Sequence, residues 1–279
     1  MDYRSLLVHL EPDSTSSEAR LQLAIALARE CEAVLVGTAA RMTRSPVIGD
    51  PYGIAAIDGQ LLEAERMSIE EELARLERMF GEQTSGKDLR TDWRCAVSYP
   101  DAFIAREARA ADLVIVGRGE RQRSAAHQFP DPGDVLMRAG RPVLVVPPGA
   151  SALGGKQIVL AWKDTREARR AVWDALPALG RAEAVHVVEV AEGDDLNAAA
   201  ARLTDVVDHL SRHGVKAEAE VRTLRERSVA DELILFAELK GADLIVAGGY
   251  GHARLREWAF GGVTGDLLRH CPKCCLLSH

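Results

Sequence analysis

The residues of this chain best suited to chemistry are glycines. Gly248, Gly249, Gly251, Gly261, Gly262 and Gly265 fall within one stretch, GGYGHARLREWAFGGVTGDLLRH, from Gly248 to His270. Glycine lacks a Cβ, so such a loop can bring several backbone N–H groups against one anion and adopt positive φ without steric cost. A helix beginning near Gly262 would aim its positive end at the same place. The chemistry this suits is the holding of a phosphate chain. Arg254 and Arg256 flank the loop and could act as forked phosphate donors. His252 lies inside it, but no base or carboxylate orients it in the sequence. No Ser-His-Asp set, paired-carboxylate pattern or Walker loop is apparent, so the sequence offers no positive evidence for an enzyme.

Cysteines are the second chemically notable group. Cys271, Cys274 and Cys275 cluster near the C-terminus with His270 and His279 beside them. Neighbouring residues of a strand point to opposite faces, so Cys274 and Cys275 are badly placed to share an ion. No metal site is expected, and three cysteines so close make a poor disulfide framework. Arg118, Arg121 and Arg123 form a small basic cluster that reads as solvated loop. Trp93, Trp162, Trp173 and Trp258 read as core or interface residues.

These residues must be held by a scaffold. The chain has 279 residues, 47% hydrophobic and 28% charged, enough for about two globular domains. Net charge is −7 and neither half is basic, which argues against a nucleic-acid binder. No apolar run reaches the roughly 20 residues that cross a bilayer. The start, MDYRSLLVHLEPD, is too short in apolar length for a signal peptide, so a cytoplasmic, membrane-free protein is expected.

The chain repeats itself. ADLVIVG at 111–117 matches ADLIVAG at 242–248, and both read as buried parallel strands. Glu18-Ala19-Arg20 matches Glu167-Ala168-Arg169, each triplet opening a helix after the strands 5–10 and 157–162. RPVLVVPPG at 141–149 matches CPKCCLLSH at 271–279. The copies are offset by 152 residues at the first strand and 131 at the fourth, so the first is longer by about 21, placed around Arg41–Gly59. Expected boundaries are 1–148 and 157–279, joined by a Pro/Gly-rich linker at 149–156. In the second copy the pattern predicts strands near 157–163, 184–190, 216–224, 242–248 and 273–278. Helices are predicted near 165–179, 194–213, 228–240 and 262–270. Strands alternating with helices mean two tandem doubly wound α/β domains, each a five-stranded mainly parallel sheet flanked by helices, in strand order 3-2-1-4-5. Ligands of such sheets sit beyond the carboxyl ends of the strands, where strand order reverses.

On these residues the chain resembles the universal stress protein family, over nearly its whole length and as two family domains. Family members that bind ATP carry Gly, two residues, Gly, nine residues, then Gly followed by Ser or Thr. Gly248, Gly251 and Gly261 match in type and spacing, with Gly262 in place of the hydroxyl residue and Val263-Thr264 after it. AWKDTREARRA at 161–171 and the terminal Leu276-Leu277-Ser278-His279 are similar to the family too. The resemblance implies that Gly248, Gly251, Gly261, Gly262 and Val263 line the phosphates and ribose of ATP or a related adenine nucleotide. No metal is implied beyond nucleotide-bound Mg. Thr264 could supply the hydroxyl that Gly262 lacks. The family's adenine-contacting Asp is replaced by Lys163, with Asp164 next. In the first copy Glu120 and Phe129-Pro130 replace the glycine frame, and Glu11, Pro12 and Asp13 are candidates for the acidic position, so that copy is expected not to bind ATP.

Two functions follow. One is a stress-response module regulated by adenine nucleotide in the second domain and acting on an unidentified regulatory protein. The other is a ligand-free interaction scaffold whose sites have drifted. An enzyme of the wider adenine-nucleotide-binding superfamily is a distant third. The fused pair is expected to form an intramolecular pseudo-dimer, with a homo-dimer as the further association, because edge strands need cover.

Overall fold

The computed structural model describes residues 2–12, 15–43, 59–118, 128–191, 196–224, 227–250 and 262–279. Its first half runs β1 (Ser5–His9), α1 (Thr15–Glu30), β2 (Val34–Arg41), α2 (Gly59–Thr84), β3 (Thr91–Val97), α3 (Pro100–Glu107), β4 (Leu113–Gly117), α4 (Pro132–Ala139) and β5 (Val143–Val146). The second half repeats this order as β6 (Gln157–Ala161), α5 (Arg166–Leu179), β7 (Ala184–Ala191), α6 (Leu196–Arg212), β8 (Ala217–Thr223), α7 (Val229–Leu239), β9 (Leu244–Gly248), α8 (Val263–His270) and β10 (Cys274–Ser278).

The ten strands of the described residues form one sheet in the order β3-β2-β1-β4-β5-β10-β9-β6-β7-β8. Each half thus has the order 3-2-1-4-5 expected from the alternating pattern. Pairing is parallel within each half, as in Leu6 beside Leu113 and Ile158 beside Leu244. The halves meet where β5 and β10 run antiparallel, with Leu144 opposite Leu276. The central strands β1, β4, β6, β9 and β10 are almost wholly apolar because both their faces are covered. Edge strands β3 and β8 carry charged residues and are partly exposed, which discourages further edge pairing.

One core lies on the sheet face covered by α1, α2, α5 and α6, and includes Leu6, Leu21, Phe80, Ile158, Val172 and Leu203. The other lies under α3, α4, α7 and α8, and includes Leu7, Ile104, Leu136, Val159, Phe236 and Leu267. Helix starts follow local chemistry. Asp131 caps α4 by accepting from Gly133 N and Asp134 N, with Pro132 preset for the first turn. Thr165 accepts from Ala168 N at the start of α5, and Ser228 from Asp231 N at the start of α7. The segment between β5 and β6 is fastened rather than loose. The Asp243 carboxylate accepts from Gly154 N at 2.6 Å and Gly155 N at 3.1 Å.

Two details differ from the sequence pattern. The Glu-Ala-Arg triplets are out of register by two residues. The buried series Ser17, Arg20, Leu21, Ala24, Ala28 of α1 corresponds to Ala168, Ala171, Val172, Ala175, Leu179 of α5, so Arg20 stands where the second half has Ala171. The extra length of the first half is also not confined to Arg41–Gly59: α2 has 26 residues and α6 has 17. Residues 44–58 lie outside the described residues.

Candidate functional site

The crevice between β6 and β9 is bounded by the segment after β6, the end of β9 and the start of α8. Gly248 ends β9 directly against α5. A Cβ there would lie 2.5 Å from Ala168 N and 2.6 Å from the Glu167 carbonyl carbon, so strand and helix can approach this closely only through glycine. Gly249 N donates to the Ser278 carbonyl at 2.8 Å, which ties the exit from β9 to the end of β10. Tyr250 follows at φ 54°, a left-handed conformation costly for a non-glycine residue.

The far side of the loop begins at Gly262, the residue before α8. It holds φ 121° and ψ 168°, a region open in practice to glycine alone, and a Cβ there would meet none of the described residues within 4 Å. Its carbonyl accepts from Asp266 N at 3.1 Å, and among the described residues no side chain caps the helix. Val263 is half-buried against the core under α7 and α8. The Thr264 hydroxyl accepts from Tyr250 N at 3.2 Å and so closes the two ends of the loop on each other. That is the use found for the hydroxyl expected to replace the one missing at Gly262. Gly251 and Gly261, with His252, Arg254, Arg256 and Trp258, lie outside the described residues.

Lys163 and Asp164 follow β6 and are both exposed. Asp164 is paired with Arg169. The Lys163 carbonyl accepts from Thr165 N at 2.6 Å, which folds the segment into a tight turn before α5. Lys163, rather than an acidic residue, thus stands just after β6.

The first half fills its corresponding crevice with its own side chain. Arg20 is 1% exposed. Its Nε donates to the His9 carbonyl at 2.9 Å and its Nη2 to Ser17 Oγ at 3.0 Å. Its guanidinium lies 3.4 Å from the Glu11 carboxylate. A Cβ on Gly117, the counterpart of Gly248, would lie 1.7 Å from Arg20 Nη1. Of the three acidic-position candidates, Glu11 is thus the one turned inward, Pro12 is half-buried, and Asp13 lies outside the described residues. Of the basic cluster, Arg118 donates to the Cys271 carbonyl across the junction of the halves, while Arg121 and Arg123 lie outside the described residues.

Sequence reasoning missed Arg20, because arginine reads as surface. It also missed the support that the second-half site draws from the first half. Gly249 packs against the Leu136 side chain, and the Tyr250 phenol sits over Gly133, both in α4. Cys274 belongs to one core and Cys271 and Cys275 to the other, as strand alternation requires. Burial pushes the Cys274 thiol up to about 12. Among the described residues no group of three or more metal-ligating side chains is assembled, and no helix is long and apolar enough to cross a membrane.

This fold and crevice define a tandem doubly wound α/β protein with a glycine-lined loop at one switch point. Residues 156–279 match the model of the universal stress protein family. That match covers the second half of the chain, and the first half repeats the same order of elements. A universal stress protein from Archaeoglobus fulgidus DSM 4304 aligns at TM-score 0.73 and 13% identity, over 98% of this chain and 95% of that one. A functionally unknown protein from Pseudomonas aeruginosa PAO1 aligns at TM-score 0.59 and 19% identity, over 99% and 92%. A putative universal stress protein from Pseudomonas aeruginosa UCBPP-PA14 aligns at 0.57 and 18%, over 99% and 93%. No curated protein matches the chain.

Proposed function

We propose that the second half binds ATP or a related adenine nucleotide, and that the chain is a nucleotide-responsive regulatory module of the stress response. The observation that carries this reading is Gly262. It opens α8 with a glycine-only backbone conformation, and among the described residues no atom stands within 4 Å of where its Cβ would be and no side chain caps the helix. Such an end presents unpaired N–H groups and a partial positive charge to an anion. Gly248, Gly251, Gly261, Gly262 and Val263 are the residues for the phosphates and ribose. Thr264 sets the loop ends, and Lys163 adds a cation beside the phosphates. Asp164, bound to Arg169, borders the base side. Mg enters with the nucleotide. Binding would act on a regulatory protein through the nucleotide-bearing loop. The antiparallel β5–β10 pair supports a reading of the chain as an intramolecular pseudo-dimer, and we place its action in the cytoplasm.

A second reading, a ligand-free scaffold, is favoured by one pair of observations: Lys163 replaces the adenine-contacting acid, and Arg20 fills the crevice of the first half. Release of small molecules from denatured purified protein, followed by mass spectrometry, separates the two. Adenine nucleotide at about one per chain supports the first reading; protein that emerges free of nucleotide and also fails to take it up on dialysis against ATP supports the second.

A further inference from the structure

The glycine loop of the second half does not rest on its own half alone. Helices α4 and α8 each have 8 residues, and both open at the same distance from the strand before them, Gly117 to Pro132 and Gly248 to Val263. Gly133 in α4 is therefore the counterpart of Thr264 in α8. Tyr250 touches both. Its backbone N–H donates to the Thr264 hydroxyl at 3.2 Å. Its phenol crosses to the first half, where a Cβ on Gly133 would lie 2.5 Å from the hydroxyl oxygen and 3.5 Å from Cζ. One tyrosine thus ties together the same position of two repeated helices, by the backbone in its own half and by the side chain in the other.

The contact is specified from both sides. Gly133 is buried in the first turn of α4, where helix propensity favours almost any other residue, and the lack of a Cβ admits the phenol. The Asp131 carboxylate fixes that turn by accepting from Gly133 N at 2.8 Å. Tyr250 holds φ 54°, a conformation that glycine would adopt freely and a tyrosine does not. Beside it, Gly249 has room only for hydrogen, since a Cβ would lie 2.6 Å from Leu136 Cδ2. Leu136, Val145, Leu267 and Leu277 share one core, so packing is continuous from one half to the other. The relation runs one way. Counted from Gly117, the first-half residue that corresponds to Tyr250 is Gly119, which has no side chain to return the contact.

We propose that α4 of the first half is the seat that positions the nucleotide loop of the second, with Gly133 and Leu136 as positioning residues that act through Tyr250 and Gly249. The inference rests on the nucleotide reading above. It gives the first half, whose own crevice is filled by Arg20, a part in the crevice of the other. A loop held in place before its ligand arrives loses less freedom on binding and so binds tighter. The coupling is reciprocal: whatever α4 contributes to nucleotide affinity, bound nucleotide returns as firmer packing of α4.

The test is calorimetric titration of the full chain with MgATP. Gly133→Ala sets a methyl against the Tyr250 hydroxyl and should weaken binding about tenfold. Tyr250→Phe removes that hydroxyl and leaves Cζ at 3.5 Å, an ordinary contact. Adding it to Gly133→Ala should therefore restore the affinity of Tyr250→Phe alone, whereas a role confined to the stability of α4 would give additive losses. Gly117→Ala, which perturbs the first half against Arg20 instead, should leave binding unchanged. Wild-type affinity in Gly133→Ala overturns the inference, and so does a loss that Tyr250→Phe fails to relieve. If Gly133→Ala does not fold, Leu136→Val, which shortens the side chain against Gly249, decides in its place, and undiminished binding there overturns the inference. Absence of heat from the wild type at millimolar MgATP is a failure of the nucleotide reading itself, and the inference falls with it.

Discussion

Arg20 lies against Gly117 so closely that the strand end and the guanidinium share the space of a single missing Cβ. This contact closes the first-half crevice, and it ranks the two halves: one is packed with its own cation, the other opens beside Gly262. The pair should be sensitive from both sides. Gly117→Ala forces the guanidinium or β4 to move and is expected to cost about 1–3 kcal/mol by overpacking. Arg20→Met removes the cation, leaves the Glu11 carboxylate facing the interior and is expected to cost about 3 kcal/mol or more. Arg20→Met combined with Glu11→Gln should recover most of that loss. Urea unfolding of the wild type, Gly117→Ala, Arg20→Met, Glu11→Gln and the double variant checks this; additive losses in the double variant would contradict the pairing.

Acid should destabilise the first half through His9. Burial, and then the neighbouring Arg20, push its pKa down to about 3. An unfolded histidine titrates near 6.5. Between those values the folded chain binds fewer protons than the unfolded one, so stability falls as pH falls. The contribution is complete above about pH 6.5 and is lost progressively toward about pH 3. Unfolding free energy measured across this range should flatten in His9→Gln.

Asp101 has the opposite sign. Burial, with Asp134 and Asp131 nearby, raises its pKa to about 6, while Asp131 N donates to its carboxylate at 2.8 Å. Its folded-state pKa exceeds the unfolded value, so its contribution is full below about pH 4 and lost as pH rises through about 6. Asp101→Asn keeps an acceptor without the charge. It should raise the melting temperature at pH 8 and make no difference at pH 4; a lower melting temperature at pH 8 would contradict the assignment.

The loop glycines should separate by mechanism. Gly248→Ala drives a methyl into the backbone of α5 and is expected to cost about 1–3 kcal/mol through displaced packing. Gly262→Ala meets no atom of the described residues and is expected to cost about 1–3 kcal/mol through backbone conformation. Thermal unfolding reads both losses. Gly262→Asn should be as costly as Gly262→Ala, because this conformation is closed to both, whereas Gly248→Asn should be worse than Gly248→Ala.

Much of the scaffold was visible in the residues. ADLVIVG and ADLIVAG are continuous apolar runs because parallel strands are covered on both faces, and their recurrence gave the strand order twice. The antiparallel union of β5 and β10 was not visible, since pairing between distant segments leaves no periodic mark. Arg20 hid because its burial depends on Gly117, far along the chain. The triplet match that aligned it with Arg169 was misleading: helix register is set by buried residues, and those align Arg20 with Ala171. The glycine frame was legible by spacing. The seat of Gly249 and Tyr250 on α4 was not, because it joins two halves that sequence treats as separate.

The central claim is that one half of this chain, and not the other, binds nucleotide at its glycine loop. Calorimetric titration of the full chain with MgATP tests it most directly, with Gly251→Glu and Gly117→Ala alongside. Saturation at one site per chain, lost in Gly251→Glu and retained in Gly117→Ala, is the result this account predicts. Absence of heat at millimolar nucleotide, or binding that survives Gly251→Glu, would contradict it.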